Sequence, residues 1–337
     1  MNAWEWRGAS SVAPVVRRRQ ALRRGFARLR PLLNGLCATD LELLRGHLAS
    51  SRPPLVPGHE IVARVTELAA PAQLKLDDVV VVDTIVGCGT CAWCQSGSTQ
   101  LCAHAEEIGL TIDGGWQEEL CVPLSNCYVL PAEADPYAAA LTEPLTCELG
   151  LVRSFELTSS ARVVVVGSGV AALIFVQLAK LEGADTVVAV ANNSARGERL
   201  AALGADDVVL LPDHPAAGTF SHAVDAVGTQ DSLRLAVDAL APGGRMALYG
   251  LAQRLPPFPL HQAVFKNLSI SAHTSAPWLW RDAVRMVAAE HIELRSLITG
   301  EVAFDRLGSF VAEWVARSGL SGAEVKSVIR HTEKEEN

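Results

Sequence analysis

Val163-Val-Val-Val-Gly-Ser-Gly-Val-Ala-Ala172 is the stretch that decides the fold. Four consecutive valines ending at glycine read as a strand buried on both faces. Gly167 stands where the chain must turn tightly, and Gly169 lets the backbone approach a ligand closely. The apolar run from Val170 to Lys180 reads as a helix, and its first amides, at Val170 and Ala171, point at whatever anion sits before them. Strand, G-x-G-x-x-A turn and helix in this order form the first unit of a dinucleotide-binding fold, with Ala172 in place of the usual third glycine. The motif alone is weak evidence; its position between a valine strand and an apolar helix is what gives it weight.

Downstream the same rhythm continues. Strands are expected at Thr186 to Val190, Val208 to Leu211, Ala223 to Val227, Arg245 to Tyr249 and Leu268 to His273. Helices fall between them at Ala195 to Leu203 and Asp231 to Leu240. Alternating apolar strands and helices build a doubly wound parallel sheet, an α/β domain. The end of the second strand ordinarily carries an acid for a ribose 2′-hydroxyl. Here spacing puts Ala191 there, followed by Asn192, Asn193, Ser194 and Arg196. No carboxylate repels a 2′-phosphate, and those polar side chains can bind one, which favours NADP. Alternatively Arg196 is a solvated helix residue and NAD binds.

Upstream of about residue 150 the texture differs. Short β-like runs, Glu60 to Val65, Val79 to Asp83 and Glu119 to Val122, alternate with Gly/Pro turns. Three segments follow: an irregular strand-rich domain over 1–150, the nucleotide fold over 151–275, and a return segment over 276–337 that packs on the first domain. The polar tail from Glu333 to Asn337 is expected to fray.

Within the first domain, Cys88, Cys91, Cys94 and Cys102 form a C-x2-C-x2-C-x7-C loop. Four thiolates in one loop, with Gly87, Gly89 and Gly97 to let it fold back, are the ligand set of a closed tetrahedral zinc site. Redox pairing of a C-x-x-C is the competing reading, but it leaves the other cysteines unexplained. Four sulfurs leave no open position, so this zinc is structural and the chemistry lies elsewhere.

Composition narrows the class. The 337 residues are 49% apolar and 20% charged, with net charge −8, which argues against nucleic acid as a partner. Seven arginines between Arg17 and Arg30 alternate with apolar residues and read as exposed strand faces rather than a basic arm. No apolar run of membrane-spanning length and no secretory h-region is visible. Cys37, Cys121, Cys127 and Cys147 are scattered, so no disulfide scaffold is indicated and a reducing cytoplasm fits.

Three separated pieces look like one site: Asn34-Gly-Leu-Cys-Ala-Thr-Asp40, Pro57-Gly-His-Glu60 and Leu141-Thr-Glu-Pro144. Cys37, His59 and a carboxylate make a mixed S/N/O zinc set. Each also has an ordinary reading, as core cysteine, turn histidine and helix-start acid. Together with the cysteine loop, Gly114-Gly-Trp116 and Gly167 to Ala172, in this order, they resemble the zinc-dependent medium-chain alcohol dehydrogenase family, in its polyol, sorbitol and threonine dehydrogenase-like branch. The resemblance covers nearly the whole chain. It implies a GroES-like catalytic domain beside the Rossmann domain, and two zincs per chain.

By that resemblance Cys37 and His59 are ligands of a catalytic zinc, and Glu60 and Glu143 compete for the remaining protein position. Zinc would lower the pKa of an alcohol oxygen, and a hydride would pass from the carbinol to the nicotinamide of NADP or NAD. Thr39 matches the hydroxyl that contacts the substrate oxygen. Cys147, Ala226, Val227, Tyr249, Gly250 and Leu251 would line the nicotinamide. Relatives pair sheets near Leu268 to Thr274, so a homodimer or homotetramer is implied.

The chain departs from the family pattern at Glu42, where relatives carry a proton-relay histidine; Glu42 either takes over the relay or faces solvent. The reaction implied is interconversion of a secondary alcohol (a polyol, sugar, cyclitol or aminocyclitol) and its ketone. The alternatives are a zinc-independent quinone or enoyl reductase on the same fold, which Cys37, His59 and Glu60 oppose, and a non-catalytic zinc- and nucleotide-binding relative. Trp116, Trp278 and Trp280 either wall a pocket or fill core.

Overall fold

The computed structural model describes the chain except residues 9, 71–72, 252–256, 318–321, 323 and 333–337; the expected frayed tail lies outside the described residues. The first segment runs β1 (Asn2–Trp6), β2 (Val12–Val16), β3 (Phe26–Leu36), α1 (Ala38–Leu44), β4 (Glu60–Leu68), β5 (Val79–Val82), β6 (Ile85–Val86), α2 (Ala92–Gln95), β7 (Glu106–Glu107), β8 (Leu120–Pro123), β9 (Cys127–Val129), α3 (Pro136–Ala139) and α4 (Thr142–Ser154). The middle follows as β10 (Arg162–Val166), α5 (Val170–Leu181), β11 (Thr186–Ala191), α6 (Ser194–Ala202), β12 (Asp207–Leu210), β13 (Phe220–Asp225), α7 (Gln230–Ala239), β14 (Leu240–Leu248), α8 (Leu260–Phe265) and β15 (Ser269–Ala272). The return segment carries α9 (Trp280–Ala288), β16 (Ile298–Ala303), α10 (Leu307–Ala316) and β17 (Lys326–Arg330).

Contacts divide the chain into two units, Met1–Glu143 with Pro277–Asn337, and Pro144–Ala276. The division falls at the start of α4, seven residues before the boundary expected near 150. The return segment adds two strands to the first unit's sheet.

In that unit one sheet runs β16-β17-β3-β4-β5-β9, with β8 also on β3. β3 is its spine, flanked by β17 and β4. A proline inside a central strand removes a ladder hydrogen bond, and the β3–β4 register shifts between Pro31 and Leu33, where a bulge absorbs it. Trp116 is buried as core packing, as is Trp280, which stacks on Tyr128 at 5.6 Å, whereas Trp278 is exposed.

The arginine stretch differs from its expected form. Arg17 to Arg24 lie in the connection between β2 and β3, not on strand faces. Arg28 does lie on β3, but it is buried and pairs with Glu67 at 2.9 Å. Alternation in sequence misled here because the paired acids, Glu5, Glu67, Asp113 and Glu119, come from distant elements.

The second unit's sheet is wholly parallel, in the order β12-β11-β10-β13-β14-β15. This is the 3-2-1-4-5-6 arrangement of a dinucleotide fold. Val163 to Val166 are buried in the centre, each worth about 1.5–3 kcal/mol of burial. Strand order reverses between β10 and β13, so the crevice at their carboxyl ends is where such sheets bind ligands.

Candidate functional site

The site in the first unit is built where β3 ends and α1 begins. Cys37 is the N-cap of α1, its sulfur accepting from the Thr39 amide at 3.5 Å. Asp40 completes a capping box by accepting from the Cys37 amide at 2.9 Å. Asp40's other oxygen lies 3.2 Å from His59 Nδ1, near enough to pair as charges though not aligned as a hydrogen bond. A carboxylate beside Nδ1 favours a proton there and leaves the lone pair of Nε2 available to a metal, the usual arrangement behind a metal-bound histidine. Burial alone would depress the His59 pKa; the Asp40 carboxylate and the Cys37 sulfur outweigh it and hold it well above the ordinary value.

His59 and Glu60 reach the site from the start of β4. The turn before them is strapped down by the glycine-rich segment: the Gly115 amide donates to Gly58 O at 2.8 Å and the Trp116 amide to Pro57 O at 3.0 Å. Gly58 has φ +100°, and a Cβ there would stand 2.2 Å from the Trp116 ring, so only glycine fits. Glu60 pairs across the sheet with Gly35 and turns toward Cys37.

Cys37, His59 and Glu60 each offer a ligand atom, and these atoms lie within 4.8 Å of one another. Glu60 Oε2 is buried without a partner. A soft sulfur, an imidazole nitrogen and a hard oxygen with an orphaned lone pair fit a zinc ion with an open fourth position. Glu143 lies outside this cluster. It lies in the first turn of α4, where its charge raises Asp83, and of the two competing carboxylates only Glu60 is gathered with Cys37 and His59. Burial raises Asp83 to about 7, and Glu143 and Glu107 add to the rise.

Thr39 Oγ1 lies 3.5 Å from Cys37 Sγ, beside the cluster. Glu42 stands one turn along α1 and does not simply face solvent. Its carboxylate meets His47 Nδ1 at 2.7 Å and Arg45 Nη1 at 3.2 Å. The histidine missing from the expected position is thus replaced by a glutamate that holds another histidine.

Sequence reading missed three partners of this site. Asp40 had a signal, the C-x-x-D capping pattern. His47 had none beyond proximity. Lys326 had none at all: it is 2% exposed, and its ammonium lies 2.5 Å from Glu60 Oε1 across 266 residues of chain. Burial lowers a lysine pKa, but Glu60, with Cys37 and Asp40, more than offsets that and raises it.

The four-cysteine loop gathers as spacing predicted. Its sulfurs lie within 4.8 Å of one another, Cys88 and Cys94 at 4.0 Å, and none of the four is in a disulfide. The Thr90 hydroxyl and backbone amides lower Cys88 to about 5, whereas burial raises Cys94 to about 12 with the neighbouring sulfurs adding to the rise. Four sulfurs this close do not all ionise without a cation, and a zinc ion supplies one. A Cβ at Gly87 would stand 2.5 Å from Cys94 Sγ.

In the second unit Gly167 has φ +132° and a Cβ there would press on Val227 and Ala226. Gly169 caps α5 and faces open space, with Val170 and Ala171 forming the first turn. Asp225, also missed from sequence, ties the expected nicotinamide residues together. Its carboxylate accepts from the Val227 and Gly228 amides, and its carbonyl from those of Tyr249 and Gly250. Leu251 is exposed, and Cys147 is buried with its thiol donating to Thr274 O.

At the second strand's end, Ala191 is buried and the two asparagines are engaged locally. Asn192 Oδ1 accepts from Ser168 at 2.9 Å, and Asn193 caps α6 through the Arg196 amide.

A parallel nucleotide sheet, a mixed-ligand cluster and a four-sulfur loop together define a two-unit zinc-type oxidoreductase. The family models agree. Residues 24–132 match the alcohol dehydrogenase GroES-like domain, and residues 169–289 match the zinc-binding dehydrogenase domain. L-galactonate-5-dehydrogenase of Escherichia coli (strain K12) is 34% identical over 64% of this chain and 66% of its own length. Sorbitol dehydrogenase of Halalkalibacterium halodurans is 26% identical over 79% of this chain and 82% of its own. The crystal structure of a proposed zinc-binding dehydrogenase of Sinorhizobium meliloti 1021, bound to NADP, superposes with a TM-score of 0.88 at 24% identity, covering 98% of each chain. The chain belongs to the zinc-dependent medium-chain alcohol dehydrogenase family. Its reaction class is the NAD(P)-linked interconversion of an alcohol and a ketone.

Proposed function

We propose that Cys37, His59 and Glu60 hold a catalytic zinc, that Cys88, Cys91, Cys94 and Cys102 hold a structural one, and that the substrate is a polyol or sugar-like secondary alcohol. The observation that carries this reading is the convergence of three different ligand atoms within 4.8 Å, one of them on a carboxylate with an unpartnered oxygen. A carboxylate ligand and sugar-acid and polyol dehydrogenases among the relatives support the substrate class.

When bound, zinc supplies a Lewis acid that makes an alcohol oxygen more acidic, and the nicotinamide supplies a hydride acceptor. The protein's own groups do the rest. Asp40 keeps His59 oriented. Thr39 presents a hydroxyl beside Cys37 to receive the alcohol proton. Glu42 and His47 carry it onward toward solvent, which their 2.7 Å contact supports. Gly167 and Gly169 give the pyrophosphate room, with the Val170 and Ala171 amides facing it. Val227, Tyr249, Gly250 and Leu251 form the nicotinamide side.

NADP is the proposed cofactor. The absence of an acid at Ala191 supports it, with Arg196 as the phosphate's charged partner and Asn192 and Asn193 shaping the turn. The chain is proposed to act as a homodimer or homotetramer through the edge strand β15 and the neighbouring exposed Leu260, Val264 and Phe265 of α8. Cysteines scattered through the chain with no disulfide scaffold support a reducing, cytoplasmic setting, and no helix of the described residues is long and apolar enough to cross a membrane.

One experiment tests the reading. Metal content and turnover are measured together, with a panel of polyols, sugars and cyclitols and both cofactors. The expected result is two zincs per chain, one lost in Cys37→Ala together with turnover, and NADP used at least as well as NAD. In the same assay Glu42→Gln should slow turnover roughly 10²-fold near neutral pH. One zinc in the wild type, unaffected by Cys37→Ala, would remove the catalytic metal from the mechanism.

A further inference from the structure

Sheet register brings Lys326 to the metal site. Ser327 of β17 pairs with Leu36 of β3, and Gly35 of β3 pairs with Glu60 of β4. The lysine, the end of β3 and the glutamate therefore stand side by side on three adjacent strands. Space there is tight, since a Cβ on Gly35 would stand 1.7 Å from Glu60 Oε2. Lys326 takes Glu60 Oε1 at 2.5 Å, and Oε2 is buried with no protein partner.

A carboxylate can give a metal one oxygen or two. Cys37, His59 and one oxygen make three ligand atoms, which leaves the fourth position of a tetrahedral zinc open for substrate. A second oxygen from Glu60 would close it. A compact ammonium occupies one carboxylate oxygen without the two-pronged grip of a guanidinium. We propose that Lys326 is a positioning residue of the metal centre: by holding Oε1 it restricts Glu60 to one-oxygen ligation through Oε2 and keeps a coordination position free. The inference rests on the reading that Cys37, His59 and Glu60 hold the catalytic metal.

The test is a double-mutant cycle on the full-length protein, read as zinc affinity of the Cys37-dependent site by chelator competition. Lys326→Met should tighten zinc at least tenfold, because Glu60 gains a second contact. In a Glu60→Gln background the same substitution should change affinity less than threefold. Cobalt(II) in that site, taken as the difference from Cys37→Ala, should show weaker d–d bands in Lys326→Met as the coordination number rises. Lys326→Arg preserves the buried charge and serves if the methionine variant does not fold. Its guanidinium captures both oxygens, so zinc should bind at least tenfold more weakly than in wild type.

Equal tightening in both backgrounds would make Lys326 a mere background charge and overturn the proposal. So would unchanged cobalt bands in Lys326→Met, or wild-type zinc affinity in Lys326→Arg. Those outcomes leave the two-zinc reading standing. A single zinc insensitive to Cys37→Ala would overturn both.

Discussion

Asp40 does two jobs with one buried carboxylate. One oxygen caps α1 at the Cys37 amide, and the other faces His59. The same residue therefore anchors the backbone that carries the Cys37 sulfur and sets a negative charge beside His59 Nδ1. Asp40→Asn separates the two roles, since an amide oxygen still caps the helix but brings no charge to His59. Zinc affinity at the Cys37-dependent site should fall about 10–100-fold, the usual effect of losing an outer-shell carboxylate, with little change in melting temperature. Unaltered zinc affinity in a chelator titration would show that Asp40 matters only to the helix.

At the scale of elements, the cysteine loop is held by its own turn hydrogen bonds and buries little apolar surface. β6 and β7 form a two-stranded ladder beside it, and α2 is a four-residue helix with no buried residue. Trp93 and Leu101 of the loop are exposed rather than packed. So little apolar burial is what small zinc modules show, where a bound metal takes the place of a core. Cys94→Ser should remove one zinc per chain and lower the melting temperature by about 3–4 °C, the shift that roughly 2–3 kcal/mol produces in a chain of this size. Retention of both zincs would show that three sulfurs suffice. A variant that keeps its stability and loses only turnover would place this zinc in the chemistry instead.

For the whole molecule, β17 lies between β16 and β3 in the first unit's sheet, and His331 follows it directly. That imidazole is buried, stacks on Phe304 at 4.5 Å and leaves Nε2 unpartnered. Burial pushes its pKa down to about 3, against a small opposing pull from Glu118. The unfolded chain, with an ordinary histidine near 6.5, takes up a proton that the folded chain refuses. Stability is therefore unaffected above about pH 6.5 and declines as pH falls toward 3, by up to about 1.4 kcal/mol per pH unit. His331→Leu should flatten this decline. Urea midpoints at pH 7 and pH 5 would check it, and the same drop in both proteins would assign the acid sensitivity to other groups.

The sequence by itself determined the nucleotide fold, because that fold is local. Strand, turn and helix follow one another within Val163 to Lys180, and Gly167 is needed where φ reaches +132°. The four-cysteine cluster was legible for the same reason, with all four sulfurs inside fifteen residues. Cys37, His59 and Glu60 were legible as residue types, but their spacing carried no geometry. Only the tertiary structure brings Glu60 within 4.8 Å of Cys37 and His59, because β4 pairs Glu60 against Gly35, whereas Glu143 lies in the first turn of α4. Lys326 and Asp225 stayed hidden because their partners are set by strand register or by the backbone amides of a turn. A buried charge is compensated by whatever the fold places within a few ångströms, and distance along the chain has no bearing on that.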